Sequence, residues 1–212
     1  MIHSYLHECN RLFPGVTERK KIMKTKKLIF AALFAALTCV ATMVIKVPTP
    51  TMGYIHPGDA VVLLSAFLLG PLYGGLAAGI GSMFADLFGG YFSYAPATFV
   101  IKALTAVIAS VVCNALAKRV ASEESKGRQV VNTIIGGVCG EAFMVIGYFV
   151  YEIFLMALAT GDGLSGTALA AGVASSASGI PFNIVQGVFG VVLAAILFPM
   201  LQPPLHSFLA NE

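Results

Sequence analysis

The stretch Lys24 to Val47, KTKKLIFAALFAALTCVATMVIKV, opens with three lysines and then runs about twenty residues to Lys46 without a charge. At 1.5 Å per helical residue that is enough to cross a hydrocarbon core of about 30 Å. The lysines in front of it give a direction, because cytoplasmic flanks of membrane spans carry an excess of Lys and Arg. A second basic stretch, Lys118 to Arg128, joins Arg11 to Lys27 in holding eleven of the thirteen Lys and Arg residues. Both stretches therefore belong on the cytoplasmic side, with an even number of crossings between them. A cleaved signal peptide fits less well: the apolar run is too long and lacks a small-residue cleavage pattern before Pro48, so it reads as a retained helix.

Composition points the same way. The chain is 58% hydrophobic and 11% charged with a mean hydropathy of +0.86, whereas soluble domains average about 25% charged residues. The net charge of +3 comes from the cytoplasmic stretches and argues for no nucleic-acid partner, only for the lipid bilayer. Cys9, Cys39, Cys113 and Cys139 have no short regular spacing, and three of them lie in apolar segments, which suits reduced packing residues. Residues 1–22 form a polar extension, and Met23, followed by Lys24, Lys26 and Lys27, reads like the start of a membrane protein. His3, His7 and Cys9 lack a fourth ligand at a useful spacing, so no metal and no cofactor is expected.

The remaining spans follow from length and from Gly and Pro punctuation, giving one domain over residues 23–204 and a tail at 205–212. The first runs over about residues 27–46. A Pro- and Gly-rich loop, 47–58, leads to a short second helix that ends near Leu69, where Gly70 and Pro71 break it. The third continues to about Phe88, the fourth covers about 97–117, the fifth about 130–159 and the sixth about 179–200, with Pro181 in its first turn. Residues 160–178 read as a Gly- and Ser-rich loop. The prediction is an all-α integral membrane protein with six transmembrane helices and both termini cytoplasmic. The second and third helices are short, so a re-entrant hairpin is the alternative to two full crossings; parity is the same either way.

Polar residues inside spans carry the functional signal, since a charge at the bilayer centre costs at least about 2.5 kcal/mol. Ser82 and Asp86 fall near the outer end of the third helix; Thr98, Lys102 and Thr105 share the outer half of the fourth. Glu141, Met144, Tyr148 and Glu152 recur at three- and four-residue steps and line one face of the fifth. Asn183 and Gln186 open the sixth, Tyr91 and Tyr94 lie in the outer loop before the fourth, and His56 lies in the loop before the second. Every one of these elements contributes polar or aromatic groups at the outer half, and an outward-facing pocket under loops is the simplest arrangement that satisfies them. Plainer roles compete: the tyrosines suit an interfacial belt, Asp59 a helix cap, Asp86 and Glu152 the headgroup region, and Lys102 can snorkel outward. Glu141 has no such escape. Enzyme motifs are absent, with no H-E-x-x-H, no G-x-S-x-G and no G-x-x-x-x-G-K-[ST] phosphate loop, so the chain is not read as an enzyme and any uphill transport needs an ion or a partner.

The runs from Gly53 to Ala60, Leu68 to Gly74 and Asp86 to Tyr91, with Ile101-Lys102 and Pro181 to Gly187, resemble the substrate-binding S component of energy-coupling factor (ECF) vitamin transporters. The likeness is to the riboflavin branch, which also holds carriers for hydroxymethylpyrimidine and pyridoxine. It implies six membrane helices, an outer pocket for a water-soluble vitamin, and docking on a transmembrane T component served by two ATP-binding subunits in a bacterial cytoplasmic membrane. Under that resemblance Lys102, Glu141, Tyr148, Asn183, Gln186 and Asp86 are expected as polar ligand contacts, and Tyr91, Tyr94 and His56 as lid or stacking groups. The family's small-xxx-small docking motif matches Ala31 and Ala35 together with Ala32 and Ala36. The rival is a stand-alone proton-coupled carrier that uses Glu141 or Asp86.

Overall fold

The computed structural model describes residues 14–49, 54–118 and 125–210. His3, His7 and Cys9 lie outside them. Six helices fill the described chain: α1 Pro14–Val44, α2 Gly58–Gly89, α3 Ala95–Lys118, α4 Lys126–Ala159, α5 Gly166–Ala177 and α6 Ile180–Ala210. Between α1 and α2 two short strands, β1 Val47–Pro48 and β2 Tyr54–Ile55, pair antiparallel. All the helices except α5 are long and apolar enough to cross a membrane.

Helix α2 is a hairpin. Gly70 sits at φ 81°, ψ −179°, a conformation open to glycine, and Pro71 cannot donate the hydrogen bond that would carry the helix on. The chain reverses there, so that Gly74 packs on the backbone of Ser65 and Ala66 and Ser65 Oγ donates to the Gly74 carbonyl at 3.1 Å. The two arms, 58–69 and 71–89, are the separate second and third helices expected from the Gly-Pro break. They supply the extra pair of segments that makes six. Their lengths differ: about 28 Å for the second arm and about 18 Å for the first. Gly58 therefore starts about 10 Å deeper than Gly89 ends, and the strand pair must dip into the outer half of the bundle to reach it.

Four helices close a ring in which α2 packs on α3, α3 on α4, α4 on α6 and α6 back on α2; α1 lies against the outside of α2, and α5 against α4. Small residues set these approaches. Gly79 and Gly75 of α2 face Phe99, Ala103 and Val107 of α3, Gly136 and Gly140 face Ala109 of α3, and Gly190 of α6 meets Asp59 and Ala60. Without a Cβ the backbones come close enough for van der Waals packing to hold helices that lipid does not drive together. The most enclosed window is that of α2, 56% buried; α1 has the least, 22%.

Three expectations are corrected. The first helix begins at Pro14, inside the polar extension, where proline suits a helix start. Residues 160–178 are not all loop: Ser165 accepts from the Ala168 amide, caps α5, and Gly172 packs on the Ile153 backbone of α4. The last helix runs on past Met200 to Ala210 through Pro199, Pro203 and Pro204, each of which gives up a backbone donor.

Ser125 caps the inner end of α4 and Ser165 the outer helix α5. Single cysteines at these positions in a cysteine-free background separate the two sides. An impermeant thiol reagent on intact cells should label position 165 and spare 125; the reverse pattern, or equal labelling, contradicts the topology.

Candidate functional site

Because the first arm of α2 starts deep, Asp59 enters the bundle instead of capping at its surface. The N-cap is Pro57, whose side chain makes no capping hydrogen bond. Asp59 is fully buried, and Oδ1 accepts from Lys102 Nζ of α3 at 2.5 Å while Oδ2 accepts from Gln186 Nε2 of α6 at 2.6 Å. Lys102 is also fully buried and lies 5.3 Å from the Tyr148 ring centroid. Two opposite charges, each satisfied by a second group, offset the desolvation that either would suffer alone. Glu141 of α4 stands beside this cluster against Gly187, with Asp59 and Lys102 as its charged neighbours and its carboxyl within hydrogen-bonding reach of Asp59.

Gln186 also ties the loop down. Its Oε1 accepts the His56 amide at 2.8 Å, and His56 Nδ1 accepts the Gly58 amide at 3.0 Å. Burial pushes the His56 pKa down to about 3, against the pull of Asp59 and with Lys102 and Lys46 adding to the fall. Its imidazole is neutral at any physiological pH, as an Nδ1 acceptor must be.

Above the cluster lies a small cavity with room of about 30 Å³, enough for a few waters. Tyr148 forms part of its floor; its ring covers Lys102 and its hydroxyl donates to Thr98 Oγ1 at 3.1 Å. Asp86, Ser82 and Glu152 face it from the sides, with Asn183 and Gln186 from α6. Tyr54 and His56 close it from the loop, and Tyr94 from the start of α3. Tyr54 Oη donates to Asp86 Oδ1 at 2.6 Å, and burial followed by the Asp86 charge raises the phenol pKa, so the phenol keeps its proton. Tyr54 packs tilted against Tyr91 with ring centroids 4.5 Å apart, Lys46 Nζ stands 4.4 Å from the Tyr54 ring, and Tyr94 meets Tyr151 edge-on at 5.6 Å.

The structure thus brings His56, Asp86, Tyr94, Tyr148, Asn183 and Gln186 to one cavity. Lys102 and Glu141 lie one layer below it, and Tyr91 backs Tyr54 at the mouth. Sequence reasoning missed the Asp59 pairing, together with Tyr54, Thr42 and Thr49 on the cavity wall. The unequal arms of α2 were the available signal for Asp59; a loop tyrosine such as Tyr54 gives none.

Of the alanines on α1, Ala31 is buried and Ala35 packs its carbonyl on Gly81, while Ala32 and Ala36 point outward. All four border an apolar groove between α1 and the second arm of α2.

A solved structure of the S component of a bacterial ECF transporter matches 89% of this chain and 99% of its own with a TM-score of 0.54 at 22% identity, a likeness of fold. A Pyrococcus woesei protein described as an uncharacterized protein in gap 3'region is 33% identical over 164 residues, 77% of this chain and 98% of that one. The family model for the ECF-type riboflavin transporter S component matches residues 22–203, nearly all of the bundle that surrounds the cavity. With the match extending across every membrane helix and the fold agreeing, the chain belongs to the family of ECF-type riboflavin transporter S components.

Proposed function

We propose that this chain is the substrate-capture subunit of an ECF importer in a bacterial cytoplasmic membrane, holding a water-soluble vitamin or precursor of the riboflavin, pyridoxine or hydroxymethylpyrimidine class. A T component and two ATP-binding subunits carry the captured ligand inward. The observation that supports this best is the cavity of buried polar and aromatic groups in the outer half of an otherwise apolar bundle. A ring-sized ligand needs more room than the cavity offers, so its admission requires Tyr54 and His56 at the mouth to move outward. The absence of a phosphate-loop motif fits a division of labour with separate ATPases.

Docking on the T component is assigned to Ala32 and Ala36, whose exposure lets a second helix approach closely. The inward pair, Ala31 and Ala35, supports α1 on α2. Replacing Ala32 and Ala36 together by Leu should cut vitamin uptake in cells at least tenfold and leave binding to the purified chain within twofold. Unchanged uptake, or binding lost along with uptake, removes the docking assignment.

A second reading is favoured by one observation, the buried carboxyl of Glu141 set beside that of Asp59. A stand-alone proton-coupled carrier needs such a carboxyl. Under that reading Glu141→Gln leaves binding nearly intact and abolishes accumulation driven by a proton gradient.

A further inference from the structure

Helix α1 carries two unlike faces. On one, Ala31, Ala32, Ala35 and Ala36 border the groove toward the second arm of α2. On the other, Lys26, Phe30, Leu33 and Leu37 recur at three- and four-residue steps and so form one stripe, charged at its cytoplasmic end and bulky above it. That stripe does not close on its neighbours. Leu33 and Leu37, with Leu64 and Leu68 of the first arm of α2 and Leu201 and Leu205 of α6, border an apolar groove with room of about 480 Å³. Ligand sites usually hold about 300–1,000 Å³. At the inner end the walls meet: Lys26 Nζ donates to the Phe208 carbonyl at 3.2 Å and lies 5.0 Å from that ring, which Phe30 meets edge-on at 5.6 Å.

Shape, depth and charge select the occupant. A second helix approaches closely over small side chains, which the alanine face offers and this one does not; a slender, flexible acyl chain fits between leucines and phenylalanines without that need. From Lys26 to Leu37 the stripe rises about 16 Å at 1.5 Å per residue, close to half of a hydrocarbon core of about 30 Å. That is the depth of one leaflet. Lys27 follows Lys26, so two ammonium groups stand at the level of the inner headgroups, where basic residues attract anionic lipids.

We propose that this groove binds one anionic phospholipid of the inner leaflet, its acyl chain lying between α1, α6 and the first arm of α2 and its phosphate paired with Lys26 and Lys27. Bound there, the lipid steadies α1, whose membrane window is the least enclosed at 22% buried.

The chain contains no tryptophan, so a single one placed at the rim of the groove reports on it alone. The full chain carrying Leu33→Trp is reconstituted in vesicles of phosphatidylcholine and phosphatidylglycerol, and quenching is measured with one or the other lipid brominated on its acyl chain. Ile135→Trp on α4 is the control: it is exposed, lies outside the groove, and stands as far along its helix from Arg128 as Leu33 does from Lys26. Brominated phosphatidylglycerol should quench position 33 with about tenfold higher apparent affinity than brominated phosphatidylcholine, and position 135 with no more than about twofold. In the Leu33→Trp chain, Lys26→Gln with Lys27→Gln should remove the preference, and Lys26→Arg with Lys27→Arg should keep it, which separates lost charge from disturbed folding. Equal quenching by the two lipids at position 33 means ordinary boundary lipid and overturns the site. The same preference at both positions reduces it to a general attraction of the inner surface and also overturns it. Shielding of position 33 from both lipids shows a second copy of the chain over the groove, which contradicts the proposal.

Discussion

Lys102→Met should lower the stability of the bundle by roughly 3 to 5 kcal/mol, the usual cost of removing one partner from a buried ion pair. Methionine fills a similar volume, so the loss comes from Asp59, left at 0% exposure with only Gln186 and no ammonium to balance it. Pairing the change with Asp59→Asn removes the stranded charge and should restore most of the loss, because an amide still reaches Gln186. Unfolding in mixed micelles, followed by helix content or by steric trapping, measures both variants. Equal stability of Lys102→Met and the wild type contradicts the pairing. A double variant no better than the single one shows instead that Lys102 acts through something other than Asp59.

The second large effect belongs to the hairpin. A Cβ at position 74 would lie 2.7 Å from Ala66 Cα and closer still to the Ser65 carbonyl, both backbone atoms that cannot step aside. Gly74→Leu should therefore push the arms apart, break the Ser65 Oγ bond to the Gly74 carbonyl, and cost about 3 kcal/mol or more, at the upper end of overpacking effects. Moving the first arm also shifts Asp59 away from Lys102, so ligand binding should fall with stability. Gly127→Leu is the control, since a Cβ there meets open space. If Gly74→Leu unfolds like that control, α2 does not fold back at Gly70.

Much of this architecture is legible before any coordinates. Basic stretches and apolar run lengths give the spans and their direction because lipid leaves a helix few choices, and Gly70-Pro71 announces a break that the structure turns into a reversal. The α5 helix is not legible: GTALAAGVASSA is small and weakly patterned, and it folds because Ser165 caps it and Gly172 finds α4. The site is legible by face and less so by depth. Tyr148 and Glu152 share a stripe and do reach the cavity. Glu141, on the same stripe, lies two turns deeper and falls beside the ion pair instead. Asp59 looks like a cap because it precedes an apolar run, and only the shortness of its arm places it inside the bundle. That depth is a tertiary property, set by where the second arm ends.

Capture without an engine of its own is the central claim, and one measurement addresses it directly. The purified chain, alone in proteoliposomes, is offered riboflavin, pyridoxine and hydroxymethylpyrimidine with and without an imposed proton gradient, and bound and accumulated ligand are counted separately. Saturable binding of about one ligand per chain is expected, weakened tenfold or more by Asp86→Asn, with no accumulation until a T component and its ATPases are added. Accumulation by the chain alone under a proton gradient, abolished by Glu141→Gln, would contradict it.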